Sequence, residues 1–497
     1  FLPTNKDLHS CLLVNKHWAA CTVPILWEAP FRIKSEYIPS PKVIKTYLAF
    51  IPDSIFFKYG YKERIGLSTT KPLFFNYPSF LKEFSYDQFL TAAIANKCCK
   101  NIIIELFKML AMNDVKLRQF VIYSCFNHYS INLDNIVSLV PLHFYECTSI
   151  FSGLTYFNCS YQWPMQKTQL FNAIAKNCHN IKNLKVSIYH EDEGIALSAL
   201  ISSQKHLKRF SLINSNDFAS FPIQALVDQK HSLNSVAFED MHCNHNLNEA
   251  EFFNYAICQL NNSAIRVLAQ CTKINKMKFK HIEGLNSSVF LPLTTAFSNL
   301  TSLEYSYGTY NIYDNTTPIE LLSGIIMTSC NTLKRIILDW HSHEDLDITQ
   351  LVKIIAQYVM NLEYLKIPLY TLEQLAQIHK TQNQLRKLEI NMGGRINPYC
   401  ALTLFANVPL KSHRHSIQLN FDYHENSKLK FNLLNRIFES IFYKSNRVVD
   451  FVLCLHNESN LSIEGKEMLL RNYPRLNFLY RFDENINFTN VTESDSE

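Results

Sequence analysis

One short pattern, apolar-x-x-apolar-x-apolar, returns along most of this chain and limits what it can fold into. It reads Ile181, Leu184, Val186; Leu207, Phe210, Leu212; Leu233, Val236, Phe238; Ile274, Met277, Phe279; Leu300, Leu303, Tyr305; Leu333, Ile336, Leu338; Leu362, Leu365, Ile367; and Leu385, Leu388, Ile390. Successive copies start 26, 26, 41, 26, 33, 29 and 23 residues apart. Looser copies precede them at Leu81, Phe84, Tyr86, at Leu117, Phe120, Ile122 and at Leu154, Phe157, Cys159. Others follow at Ile417 with Leu419 and at Val448, Phe451, Leu453. The alternation that ends each copy predicts a short strand with one buried face. Between copies, residues 169–177 and 319–327 space their apolar side chains by three and four, as a helix with one buried face requires. One such strand and helix cannot bury their own apolar surface, but stacked neighbours can. The expected fold class is therefore α/β, a curved solenoid of short parallel strands and outer helices.

Length supports an array. A chain of 497 residues exceeds a single core, since domains run to about 100–150 residues. Apolar residues make up 47%, enough for a large core and too many for a disordered chain. The net charge of +5 over this length is too small to favour a nucleic-acid partner. With only 10 Gly, loops that cradle phosphate on glycine backbone have little material, which argues against most nucleotide-binding enzymes. The 14 Cys are dispersed, with Cys98 and Cys99 adjacent, and most sit in apolar stretches, as reduced core thiols do. No apolar run approaches the roughly 18–20 residues that span a bilayer. Residues 1–7 lack the cationic-then-apolar order of a signal peptide. A cytoplasmic or nuclear location is expected. The chain opens without Met, so it is read as processed or as lacking its true start.

The repeats resemble the cysteine-containing class of leucine-rich repeat, in which a Cys often ends the helix just before the strand leucine. Cys178 before Ile181, Cys271 before Ile274 and Cys330 before Leu333 fit that arrangement. The resemblance covers roughly residues 70–480 and is strongest in the middle third. A leucine-rich-repeat solenoid is accordingly expected over 42–480, irregular over 42–175, most regular over 176–395 and irregular again over 396–480. Residues 42–80 would begin the first repeat and cap its exposed end. Residues 483–497 are polar and acidic and read as a disordered tail.

The first residues differ in character. Leu8, Cys11, Leu12 and Ala19 recur at helical spacing, and Asp7 is placed to cap that helix. Pro24 is expected to interrupt, after which Ile25, Leu26 and Trp27 supply another apolar anchor. Asp7 and Leu8, the run Cys11 to Val14, Lys16 with Trp18, and Leu26 with Trp27 resemble the F-box, over a partial segment 1–38. Asn15 stands where that family often has Cys. The family also has a Leu-Pro pair and a first helix ahead of the part seen here, of which Phe1 and Leu2 would be the last turn. An F-box followed by leucine-rich repeats is a common arrangement.

The resemblance implies a non-catalytic substrate receptor of a Skp/cullin/F-box (SCF) ubiquitin ligase. It would hold the Skp-type adaptor, and through it the cullin, with Leu8, Leu12, Leu13, Val14, Lys16 and Trp18, while the solenoid captures a target protein. The alternative is a repeat scaffold with no ubiquitin ligase role.

Chemistry has little purchase elsewhere. His341, His343, Glu344, Asp345 and Asp347 form the densest group of possible ligands, with His242, Cys243 and His245 and the pair His413 and His415 behind it. Each reads as a loop, because ligand spacing alone does not make groups converge. There is no Cys-x-x-Cys, no Gly-x-Ser-x-Gly and no His-Glu-x-x-His. No catalytic residue, metal or cofactor is assigned, and no membrane partner. On the strands, residues between the buried positions point to the open face. There Lys276, Lys278, Lys280, Arg335, Tyr364, Lys366 and Lys387 make a mildly basic stripe with one aromatic, interrupted by Glu304 and Glu389. It is suited to an acidic or phosphorylated target.

Overall fold

The structure is a computed structural model that describes residues 5–31, 41–60, 74–122, 148–160, 167–213, 215, 217–241, 262–282, 285, 288–307, 318–340, 347–382, 384–392, 397–407, 416–421, 431–444, 450–455 and 463–480. The groups at 242–245, 341–345 and 413–415, Val448 and the tail at 483–497 lie outside them. The chain divides into two compact units, one of Phe1–Leu233 with Gln259–Leu268, the other of Asn234–Cys258 with Ala269–Glu497.

The first unit carries β1 (Glu83–Ser85), β2 (Gln119–Ile122), β3 (Tyr156–Cys159), β4 (Asn183–Val186) and β5 (Arg209–Ile213). Each pairs in parallel with the next in chain order. Parallel neighbours need a crossover, and helices such as Tyr86–Ala95, Lys100–Met112, Lys167–Asn177 and Glu191–Ser202 supply it. Register brings the first inward residue of every copy into one row: Phe84, Phe120, Phe157, Leu184 and Phe210. All are buried. Three of the rings stack, Phe84 on Phe120 at 6.0 Å and Phe120 on Phe157 at 5.9 Å with planes 8° apart. These looser copies are therefore an aromatic version of the same repeat.

The second unit carries β6 (Ser235–Met241), β7 (Lys276–Ile282), β8 (Ser302–Tyr307), β9 (Arg335–Trp340), β10 (Tyr364–Leu369), β11 (Lys387–Met392), β12 (Ser416–Phe421), β13 (Asp450–Leu455) and β14 (Leu476–Tyr480). They also pair in parallel in chain order. The inward row here is mostly aliphatic: Met277, Leu303, Ile336, Leu365, Leu388, Ile417, Phe451 and Leu476. Strand β14 belongs to a copy that the sequence pattern missed, Tyr473, Leu476 and Phe478, whose aromatic ends hid it. Each unit is thus a solenoid-like α/β stack.

A backbone device repeats at the strand starts. The carbonyl just before one strand accepts two consecutive N–H groups from the next repeat. In the first unit Lys82 O takes Arg118 and Gln119, Arg118 O takes Thr155 and Tyr156, and Thr155 O takes Lys182 and Asn183. In the second, Asn234, Asn275, Thr301, Lys334 and Glu363 do the same. The series begins before the first strand: Glu28 O accepts from Lys82 at 2.9 Å and Glu83 at 3.0 Å. Phe31, buried, packs on Tyr47, Phe84 and Phe89 with centroids 5.4–5.7 Å away. The end of the N-terminal helical segment therefore occupies the place of a preceding repeat.

Copies that lack the helix-ending Cys are also explained. Cys178 is buried and donates to Leu154 O. Where the next copies have Gln instead, the longer side chain ties its helix end back to the preceding copy. Gln204 donates to Cys178 O and Leu200 O, both at 3.0 Å, and accepts from Ile181 N–H. Gln229 bonds Ile201 O, Gln204 O and Leu207 N–H, and Gln382 bonds Ile355 O. Ile181 N–H and Leu207 N–H, both buried, find their acceptors in these side chains.

Candidate protein-interaction surfaces

The N-terminal surface is built on α1 (Asn5–Leu12) and α2 (Lys16–Leu26). Helix α1 begins at Asn5, so Asp7 lies inside its first turn, where its charge suits that end. One local expectation is corrected. Helix α2 runs through Pro24 to Leu26, because a proline this near the end forfeits one hydrogen bond while Trp27 N–H still reaches Val23 O at 3.0 Å. Asn15, read above as a departure, is the α2 cap: its extended backbone lets Oδ1 accept from Trp18 N–H at 2.9 Å.

Of the six residues assigned to docking, Leu8 is buried and Leu12 half-buried, while Leu13, Val14, Lys16 and Trp18 are exposed. Leu13 is 88% exposed, Val14 59% and Trp18 49%. Leu13 and Val14 form the turn between the helices, and Ile25, 53% exposed, follows Trp18 by seven residues on the same helix face. The inner side holds: Thr22 and Val23 are buried, and Trp27 turns inward, 4.4 Å from the Tyr77 ring. Leu13, Val14, Trp18 and Ile25 thus form an exposed apolar patch beside the Asn15 cap.

The second surface is the open strand face of the second unit, which carries all seven residues of the predicted stripe. Register arranges them in rows. The row at the strand starts runs Lys276, Ser302, Arg335, Tyr364, Lys387. The Tyr364 ring lies between two cations, Arg335 at 4.4 Å and Lys387 at 5.1 Å. Burial and the neighbouring Glu389 carboxylate push the Tyr364 phenol well above its usual range. Lys387 also pairs with Glu389 at 2.7 Å.

In the next row Lys278 sits between Glu239 at 3.3 Å and Glu304 at 3.1 Å on the flanking strands. Burial works against its charge, but the two carboxylates outweigh it and hold the ammonium above its usual range. Lys366 pairs with Asp339 at 2.5 Å. Asp339 also accepts from Asn391, which accepts from Asn420, itself accepting from Gln418, a polar chain over β9, β11 and β12. The stripe is therefore a mixed-charge face: Lys278, Lys366 and Lys387 are neutralised locally. Lys276, Lys280 and Arg335 have no carboxylate partner among the described residues.

Two polar clusters escaped the sequence reading. Lys167 is fully buried in the first unit, with Nζ donating to Ser187 O and Oγ at 3.1 Å, 4.0 Å from Glu193 and 4.5 Å from the Tyr189 ring centroid. Burial pushes its ammonium below the usual range, against the pull of Cys159 and Glu193. In the second unit Asp240 and His281 face each other across β6 and β7 at 2.6 Å, both with left-handed backbone. Neither has a sequence signal, since each depends on a pairing between distant copies.

Among the described residues no three His, Cys, Asp or Glu converge on a common point, and no helix is long and apolar enough to cross a membrane. Among the described residues Cys178, Cys271 and Cys330 are not in disulfides. No protein-family model matches the chain, and no curated protein matches it in sequence.

Proposed function

We propose that this chain is a non-catalytic substrate receptor of an SCF-type ubiquitin ligase, an F-box-like helical segment joined to leucine-rich repeats. The observation that carries the reading is the exposure of Leu13, Val14 and Trp18 on helices fixed by the Asn15 cap and by the Glu28 carbonyl. Apolar side chains held in water by an ordered scaffold gain most from a partner, because little conformational entropy remains to be lost. Burying each is worth about 1.5–3 kcal/mol, so removing two weakens docking by roughly 100- to 10,000-fold. The adaptor would take this patch, and the strand face of the second unit would take the target. The ligase would then act on the target at an effective concentration set by tethering.

The test is co-purification from cells of the protein and of a Leu13→Ser, Trp18→Ala variant. Recovery of a Skp-type adaptor and a cullin with the parent, lost in the variant at unchanged thermal stability, supports the reading. Absence of both partners from the parent overturns it and leaves a repeat scaffold whose interactions run through the strand face alone.

A further inference from the structure

The strand face of the second unit divides into a satisfied part and an unsatisfied part. Lys278, Lys366 and Lys387 have carboxylates at 2.5–3.3 Å, and the polar chain from Asp339 to Gln418 spends its groups on itself. At the starts of β7, β8 and β9 the opposite holds. Lys276 and Arg335 are exposed and stand on either side of Ser302 in one register row. Among the described residues neither cation has a carboxylate and Ser302 Oγ has no hydrogen-bond partner.

Two strand spacings separate their backbones, about 9.5 Å, and both side chains are long enough to converge above the serine. Arg335 already lies on the Tyr364 ring, which limits the freedom it would lose on binding.

We propose that Lys276, Ser302 and Arg335 form a phosphate-reading subsite for a phosphorylated peptide. A dianion with three acceptor oxygens matches two cations and a hydroxyl donor better than a planar carboxylate does. The isolated pair favours a single phosphate over a polyanion, because the neighbouring rows alternate in sign: Glu239, Lys278, Glu304. The proposal names the target class for the face assigned above and rests on that reading for its biological use. Its chemistry is tested without the adaptor.

The experiment is fluorescence anisotropy of the full chain with three labelled, sequence-randomised peptide pools carrying a central phosphoserine, serine or glutamate, and with a labelled poly-uridine oligonucleotide. The phosphoserine pool should bind at least about tenfold more tightly than the serine pool, the size of one charge-assisted hydrogen-bond set. Arg335→Ala and Lys276→Ala should each remove that preference, while Lys353→Ala, exposed on the helix Thr349–Tyr358 away from the strand face, should keep it. Both test residues are exposed, so unchanged thermal unfolding is expected and is the folding control. Equal binding of the glutamate and phosphoserine pools, preference for the oligonucleotide, or a phosphoserine preference that survives both substitutions would each overturn the proposal. Adaptor recovery from cells is scored separately with Arg335→Ala. Its loss in the parent would remove the ligase reading while leaving the subsite standing.

Discussion

The strands of the two units carry one motif but solve its packing differently. In the first unit strands of three to five residues are held over a row in which Phe84, Phe120 and Phe157 stack. In the second, strands of five to seven residues lie over an aliphatic row, and their open face is cross-linked by ion pairs and amides. A short strand offers few ladder hydrogen bonds, so a large ring at its centre makes up area that a longer strand gains by length. A longer strand has more open-face positions, and cross-strand pairs can fill them.

The comparison breaks most readily at the ring stack. Phe120→Ala should cost about 3–5 kcal/mol, because it removes the middle ring of three and leaves a cavity between its neighbours. Leu388→Ala in the second unit should fall at about 2–5 kcal/mol, and urea unfolding measures both. If Phe120→Leu cost no more than a volume-conserving change, below about 1.5 kcal/mol, stacking would not be what distinguishes the units.

Next in size is a device that both units share. Gln204→Ala leaves Ile181 N–H without its partner and removes one donor each from Cys178 O and Leu200 O, for a loss of about 1–3 kcal/mol. Gln382→Ala, which removes the donor to Ile355 O at 2.7 Å, should fall in the same range.

Alkali should weaken both units, because a phenol in each, Tyr47 in the first and Tyr364 in the second, is held above its usual range. Tyr47 in the first unit is buried and its phenol is pushed far above the usual range by desolvation. The unfolded chain ionises near pH 10 while the folded phenol stays neutral, so this contribution to stability is complete below that pH and declines above it. Tyr47→Phe should therefore raise the pH at which the first unit loses protection in hydrogen exchange, and leave the second unit unchanged.

The smallest effect belongs to the charged face. Lys278→Met should change stability by only about 0–1 kcal/mol, because the pairs with Glu239 and Glu304 are partly exposed and screened. A larger loss in urea unfolding would mean that the face holds the strands together as well as decorating them.

What sequence made legible follows the same division. Copies with Leu or Ile at the inward positions, such as Leu362, Leu365 and Ile367, announce their strands, because alternation of aliphatic and polar residues has few other uses. Copies built on rings blur, and Tyr473, Leu476 and Phe478 went unread although Leu476 is buried like the rest. The surface stripe was located by alternation, but its charge balance was not. Copies are spaced by anything from 23 to 41 residues, so the identity of a cross-strand neighbour cannot be counted along the chain. Only register sets Lys278 between Glu239 and Glu304. The N-terminal patch was visible as residues and not as geometry. Asn15 looks like a mismatch until its side chain is seen bonding Trp18 N–H.

The hydrogen bonds from Lys82 and Glu83 to the Glu28 carbonyl have a consequence for solubility. A parallel sheet that stops at β1 presents open donors and invites a second chain to add a strand there. Here the N-terminal helical segment covers the start of that edge. Trimming residues 1–31 would uncover it, and the shortened protein should tend to aggregate. The short helices ahead of the repeats therefore act as their lid against strand addition, whatever else they bind.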